Sequence, residues 1–206
     1  ITKTGGRTTL YGRIDYNKPC YTITTYFSRP GNGTYVHPIY DRVLSVREAA
    51  RVQGFPDDYY FFGNKNQILN QIGNAVPPVM AYQIGKSIFD KTGFKKSVDL
   101  FCGAGGFTSG FSAAGIHSVI SNDIEESACI TLKSNHPEIE TYCADICDEN
   151  TKDYIVRRAI ESGAEIVCGG PPCQGFSMAG FRDETDPRNQ LFRDFIDVVN
   201  RVEPKV

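Results

Sequence analysis

Val98-Asp99-Leu100-Phe101-Cys102-Gly103-Ala104-Gly105-Gly106-Phe107 decides how this chain is read. Residues 97–101 form a short apolar strand, 103–106 a glycine-rich turn, and 107–114 a helix with Phe107, Phe111 and Ala114 on one side. Glycines at the exit of a first strand let the backbone approach a ligand closely and present a helix N-terminus to it. Asp123, eighteen residues after Gly105, stands where an acidic residue can take ribose hydroxyls. The spacing Gly103-x-Gly105-Gly106 departs from GxGxxG, which weakens a dinucleotide reading and allows a nucleoside cofactor without a pyrophosphate. A purely structural turn is the alternative.

Outward from this stretch the texture repeats. Strands are predicted at 118–121, 140–143 and 165–168, and helices at 125–134, 151–161 and 189–202. Strands and helices alternating at these lengths predict an α/β fold: a doubly wound, mostly parallel sheet with ligands at the carboxyl ends of its strands. The last helix should turn Leu191, Phe192, Phe195, Ile196 and Val199 toward the sheet. Glu203-Pro204-Lys205-Val206 then reads as the entry to another strand, so the sheet is expected to have further partners.

Upstream, the first forty residues are rich in Gly, Pro, Tyr and Thr. An alternating stretch at 20–26 predicts a strand, and Pro30-Gly31-Asn32-Gly33 a turn. Ser45-Val46-Arg47-Glu48 is a capping box that starts a helix over 46–53, stopped by Gly54 with Pro56 beyond. Gln71-Ile72-Gly73-Asn74-Ala75-Val76-Pro77-Pro78 reads as a tight turn with proline opening a helix through residue 89. The connector at 91–96 is short, so the two halves should pack together.

The chain has 206 residues, 40% hydrophobic and 22% charged, with a mean hydropathy of −0.31. These values exclude a disordered tail, a fibrous protein and a disulfide-dense miniprotein. No run approaches the roughly 18 apolar residues of a membrane span, and no signal-peptide pattern is visible, so a cytoplasmic protein with no membrane partner is expected. Residues 1–96 hold 13 Lys+Arg against 6 Asp+Glu, and 97–206 hold 9 against 18. The basic half is a candidate for facing phosphates, with two solvated surfaces of opposite sign as the bland alternative. Seven cysteines without repeated spacing fit reduced thiols, and the absence of a CxxC knuckle argues against a zinc site built from Cys143, Cys147, Cys168 and Cys173.

A second constellation is Cys168-Gly169-Gly170-Pro171-Pro172-Cys173-Gln174-Gly175-Phe176-Ser177. Two glycines and two prolines after a buried strand make a stiff turn that carries Cys173 beyond the sheet edge. A free thiol has a pKa near about 8.5, so a nucleophilic cysteine needs access and stabilisation of its thiolate by amide dipoles or a cation.

Residues 99–106 and 170–177 resemble the cofactor and nucleophile motifs of DNA (cytosine-5)-methyltransferases. Residues 47–56 (Arg-Glu-Ala-Ala-Arg-Val-Gln-Gly-Phe-Pro) and 71–78 resemble that family's last two motifs, and 11–38 is similar to the segment after its target-recognition region. In the usual order the Gln-Ile-Gly-Asn motif comes last; here it precedes the glycine loop, as in circularly permuted members. The resemblance implies a Rossmann-like fold in two parts, with 1–96 carrying the permuted C-terminal motifs and 97–206 the cofactor-binding catalytic core.

The resemblance also assigns residues. It seats S-adenosylmethionine on Phe101, Gly103, Ala104, Gly105 and Gly106, with Asp123 on the ribose hydroxyls, Ile124 against the adenine, and Asp145 and Ile146 at the adenine edge. Pro172, Leu191, Asn74 and Val76 complete the pocket. Cys173 is the implied nucleophile, attacking C6 of a cytosine flipped out of double-stranded DNA. No metal is implied. A bacterial restriction-modification enzyme, associated with the nucleoid, is the implied setting.

The family's Glu-Asn-Val glutamate, its Gln-x-Arg-x-Arg segment and its target-recognition region are not found in these 206 residues. The expectation is therefore a truncated sheet, lacking its last strands, in a fragment or in a subunit completed by a second polypeptide. A non-catalytic S-adenosylmethionine-binding fragment and an RNA cytosine-5 methyltransferase are the competing readings. A nicotinamide oxidoreductase fits poorly, because it leaves Cys173 without a purpose.

Overall fold

Strand β1 (Lys96–Leu100) is paired on both sides, which fixes everything around it. The computed structural model describes residues 10–172 and 188–206. Within them, β1, β2 (His117–Asp123), β3 (Glu140–Cys143) and β4 (Ile166–Gly169) form one parallel sheet in the order β3-β2-β1-β4. Helices α4 (Gly106–Ala113), α5 (Glu126–Asn135) and α6 (Glu149–Ser162) make the crossovers, and α7 (Arg188–Val202) follows β4. The chain winds outward from β1 to β3 and then returns to β1's other side. The winding thus reverses between β1 and β4, and the carboxyl ends of the strands beside such a reversal are where doubly wound sheets bind ligands.

Alternation along the strands assigns the two faces. Val98, Leu100 and Ile120 pack with Ile155, Ala159 and Val198 of α6 and α7. Ile166 and Cys168 point the other way, into a cluster with Ala81, Phe111 and Ile116. The sheet is covered on both faces, as the alternation of elements predicts. Beyond β4, Val206 donates to Glu165 O at 3.1 Å and accepts from Val167 N at 3.0 Å, the hydrogen-bond pattern of a parallel neighbour.

The first half adds α1 (Val46–Gln53), α2 (Lys65–Asn74) and α3 (Pro78–Thr92). The Ser45 capping box forms as read, and Gly54 closes α1 in a left-handed cap. These helices and the preceding loops share a core of Ile23, Phe27, Leu44, Phe55 and Ile72 that reaches Ala104 of the glycine turn. A seam of side chains then stitches the halves. Gln71 donates to Phe62 O at 2.9 Å and Ser127 Oγ at 3.2 Å and accepts from Thr131 Oγ1 at 2.7 Å, while Asn135 pairs with the backbone of Tyr60.

Three expectations are corrected. The stretch 20–26 is not a strand: its chain turns at Thr24–Phe27, and Ile23 and Phe27 are drawn into the core instead of alternating on a sheet. Residues 71–74 are the last turn of α2 and not a free turn; its signal was the capping box of Asn64 and Gln67. In α7 the inward stripe is Leu191, Phe195, Val198 and Val202, leaving Phe192 48% and Ile196 39% exposed. Those four recur at the helical i, i+4, i+7, i+11 spacing, so the whole row faces one neighbour.

Where α3 crosses α4 the backbones nearly touch. A Cβ at Gly110 would stand 2.4 Å from Pro78 O and 2.5 Å from Ala81 Cβ, whereas one at Gly170 would meet nothing within 4 Å. Gly110→Ala should lower stability by about 1–3 kcal/mol through overpacking. Gly170→Ala should stay within about 0.5 kcal/mol of the parent, as surface changes usually do. Thermal denaturation of the two variants checks the contrast.

Candidate cofactor-binding site

The turn after β1 carries three left-handed residues, Phe101 (φ 56°), Gly103 (φ 51°) and Gly105 (φ 86°). For a phenylalanine this conformation costs on the order of 1 kcal/mol, so surrounding bonds must hold it. Cys102 N donates to Asn122 O at 3.0 Å, and Gly105 N to Cys102 O at 2.9 Å. Gly103 N donates to Asp123 Oδ2 at 2.7 Å, while Glu125 N occupies Oδ1 of the same carboxylate at 2.9 Å. The end of β2 therefore clasps the turn after β1.

Each glycine answers a different need. A Cβ on Gly106 would lie 2.2 Å from Val76 O, so the segment after α2 presses directly on the turn. A Cβ on Gly103 would meet nothing within 4 Å, which leaves the turn open toward the strand ends.

Most of the predicted site residues gather at one edge of the sheet. Phe101, Gly103, Ala104, Gly105 and Gly106 follow β1, Asp123 ends β2 and Ile124 follows it, Asp145 and Ile146 follow β3, and Pro172 follows β4. Ile124 is 68% exposed, whereas Ile146 is buried beside Phe101 and Leu191 in the core of the α6–α7 face. Asp145 is exposed and accepts from Cys147 N at 2.9 Å. Asn74 is the exposed last residue of α2. Cys173 lies outside the described residues. Among the described residues, no group of three or more His, Cys, Asp or Glu side chains is placed to hold a metal ion.

Two polar residues matter here that the sequence reading gave no role. Asn122 is buried and donates to Tyr142 O and Ala144 O, both at 2.9 Å, so it fixes the end of β3 against β2. Asp99 is buried inside β1 and accepts from Thr108 Oγ1 of α4 at 2.7 Å. Burial pushes its carboxyl up to about 7. An acidic residue within an apolar strand was the available signal.

The arrangement suits a nucleoside. Asp123 and Asp145 stand at successive strand ends, an aliphatic side chain is exposed between them, and an open glycine turn lies alongside. The model of the C-5 cytosine-specific DNA methylase family matches residues 3–90 and 95–206. The chain belongs to this family.

Among its DNA methylase relatives is a type II methyltransferase, M1.HphI, of Haemophilus parahaemolyticus, 44% identical over 114 residues that make up 52% of this chain and 30% of that protein. Another is M.AquIA of a Picosynechococcus species, 41% identical over 114 residues, 54% of this chain and 46% of that one. A solved structure of a putative DNA modification methyltransferase encoded within an E. coli prophage is 30% identical with a TM-score of 0.42, covering 53% of this chain and 30% of its own. The chain thus spans between about a quarter and a half of the length of the curated type II relatives it matches. No helix among its described residues is long and apolar enough to cross a membrane.

The Asp99 carboxyl makes a pH prediction. Its folded pKa of about 7 exceeds that of an unfolded aspartate, so the folded state holds the extra proton between these values and stability falls as pH rises through that window. Asp99→Asn removes this dependence while keeping an acceptor for Thr108. Its stability relative to the parent should therefore improve by about 2–3 kcal/mol between pH 5 and pH 8, as read from urea denaturation.

Proposed function

We propose that this chain is the cofactor-binding and nucleophile-bearing portion of a DNA cytosine-5 methyltransferase, of the bacterial restriction-modification type. The observation that carries the reading is the family match across nearly the whole chain, in both segments. The clasp of Asp123 on Gly103 supports it by setting a carboxylate beside an open glycine turn at the carboxyl ends of β1 and β2.

The residues present fit S-adenosylmethionine. The open turn at Gly103 would admit its backbone-hugging end, and Asp123 would accept from its ribose hydroxyls without losing the Gly103 bond, because a carboxylate offers about four lone-pair sites. Ile124 would cover the adenine, with Asp145 and Ile146 at its edge and Pro172, Leu191, Asn74 and Val76 closing the pocket. When bound, S-adenosylmethionine supplies an electrophilic methyl group. Cys173, as thiolate, would add to C6 of a cytosine flipped from the duplex, which makes C5 the nucleophilic carbon. Once C5 carries the methyl group, transfer of the C5 proton to a base would expel the thiolate and restore the ring.

In this proposal residues 1–96 hold the permuted last motifs and 97–206 the catalytic core. The run of α3 directly into β1 supports that order, since one helix delivers the chain to the central strand. The catalytic glutamate and the base-reading region would come from a second polypeptide or from further chain, and duplex DNA is the substrate.

Two measurements test the reading. Asp123→Ala should weaken S-adenosylmethionine binding about 10- to 100-fold in titration calorimetry, the loss expected for hydrogen bonds to a charged group. With duplex DNA containing 5-fluorocytosine, cofactor and the completing polypeptide, the chain should form a covalent adduct that Cys173→Ser abolishes. An adduct that survives Cys173→Ser would overturn the nucleophile assignment.

A further inference from the structure

The carbonyl of Ala104 sits in an awkward place. It precedes the N-cap of α4, Gly105, whose own carbonyl begins the helix by accepting from Ser109 N at 2.8 Å. The Ala104 carbonyl therefore has no helical partner, and Ala104 is buried. Its partner comes from the other half of the chain. Tyr59 Oη donates to Ala104 O at 2.6 Å across a separation of 45 residues.

Tyr59 is itself held. Its ring packs against Phe55 and Phe61, with centroids at 4.8 and 5.3 Å, and those two rings meet each other at 5.1 Å. Its hydroxyl oxygen accepts from Ser109 Oγ at 3.3 Å, so its own proton is free for Ala104. Ser109 Oγ in turn lies 2.9 Å from His136 Nε2. Ser109 accepts from that ring or donates to it according to the imidazole tautomer. Glu138 stands 3.5 Å from the ring's other nitrogen. The contacts thus run from His136 through Ser109 and Tyr59 to the Ala104 carbonyl. The same hydroxyl is the near neighbour of Gly105, where a Cβ would stand 3.0 Å from it.

We propose that Tyr59 is a positioning residue for the cofactor turn: its hydroxyl holds the Ala104 carbonyl and so fixes the left-handed backbone from Gly103 to Gly105. The functional half of this inference rests on the S-adenosylmethionine reading above. Burial also raises the Tyr59 phenol above its usual range, which keeps it a donor. Beside the Val76 contact on Gly106, this bond is a second tie from the first half of the chain to the turn.

The test separates the turn from the ligand. In the full chain without cofactor, Tyr59→Phe should speed hydrogen exchange of the Gly105 amide by about tenfold, and with S-adenosylmethionine it should raise the dissociation constant by about tenfold, the value of one buried hydrogen bond. Phe27→Leu, in the same core but away from the turn, is the control: it should lower the melting temperature while leaving Gly105 exchange and cofactor affinity near those of the parent. Unchanged exchange and affinity in Tyr59→Phe overturn the proposal. So does a Phe27→Leu variant that weakens binding as much for the same loss of melting temperature. A parent chain that binds no S-adenosylmethionine overturns the cofactor reading and the functional half of this inference with it, and the ligand-free exchange measurement still decides whether Tyr59 holds the turn.

Discussion

The structure depends on the contact between the backbone entering α3 and the glycines of α4. Val76 O lies where a Cβ of Gly106 would be, and Pro78 O where a Cβ of Gly110 would be. Any side chain at these positions would lift α3, and with it the segment that carries Asn74 and Val76, off the turn after β1. The absence of two methyl-sized groups thus lets the segment after α2 close onto the turn after β1. The side-chain seam through Gln71, Thr131 and Asn135 then ties the halves at a second place, over the face of α5.

The helices and strands of residues 96–169 were legible because each carries its own local signal. Apolar runs of strand length act over a few residues, as do the capping box at Ser45 and Gly54 for α1 upstream, and the structure places these elements within a residue or two of where they predict. The stretch 20–26 misled because alternation measures only which side chains are apolar. Ile23 and Phe27 are buried, but by a turn and not by a ladder. In α7 the apolar residues outnumber the positions on one face, so composition alone could not choose between the stripe through Leu191 and the one through Phe192.

The candidate site divides in the same way. The glycine turn and Asp123 could be read because their spacing along the chain mirrors the strand–turn–helix unit. Tyr59 could not, because its role exists only after 45 residues of intervening chain have folded, and a run of four aromatic residues carries no mark of which hydroxyl reaches a carbonyl. Alternation within that run is visible afterwards: Tyr59 and Phe61 are buried, whereas Tyr60 and Phe62 are exposed.

The seam between the halves also bears on the order in which the molecule can be made. Tyr59, Tyr60 and Phe62 find their partners 45, 75 and 69 residues further along the chain. A ribosome adds roughly 5–20 residues each second, so the backbone of this aromatic run waits on the order of seconds for the α5 side chains that bond it. Contacts this distant in sequence also carry a large loop-closure cost and slow the approach to the native state. The capping boxes of α1 and α2, by contrast, need only residues already made. The early helices are built to wait.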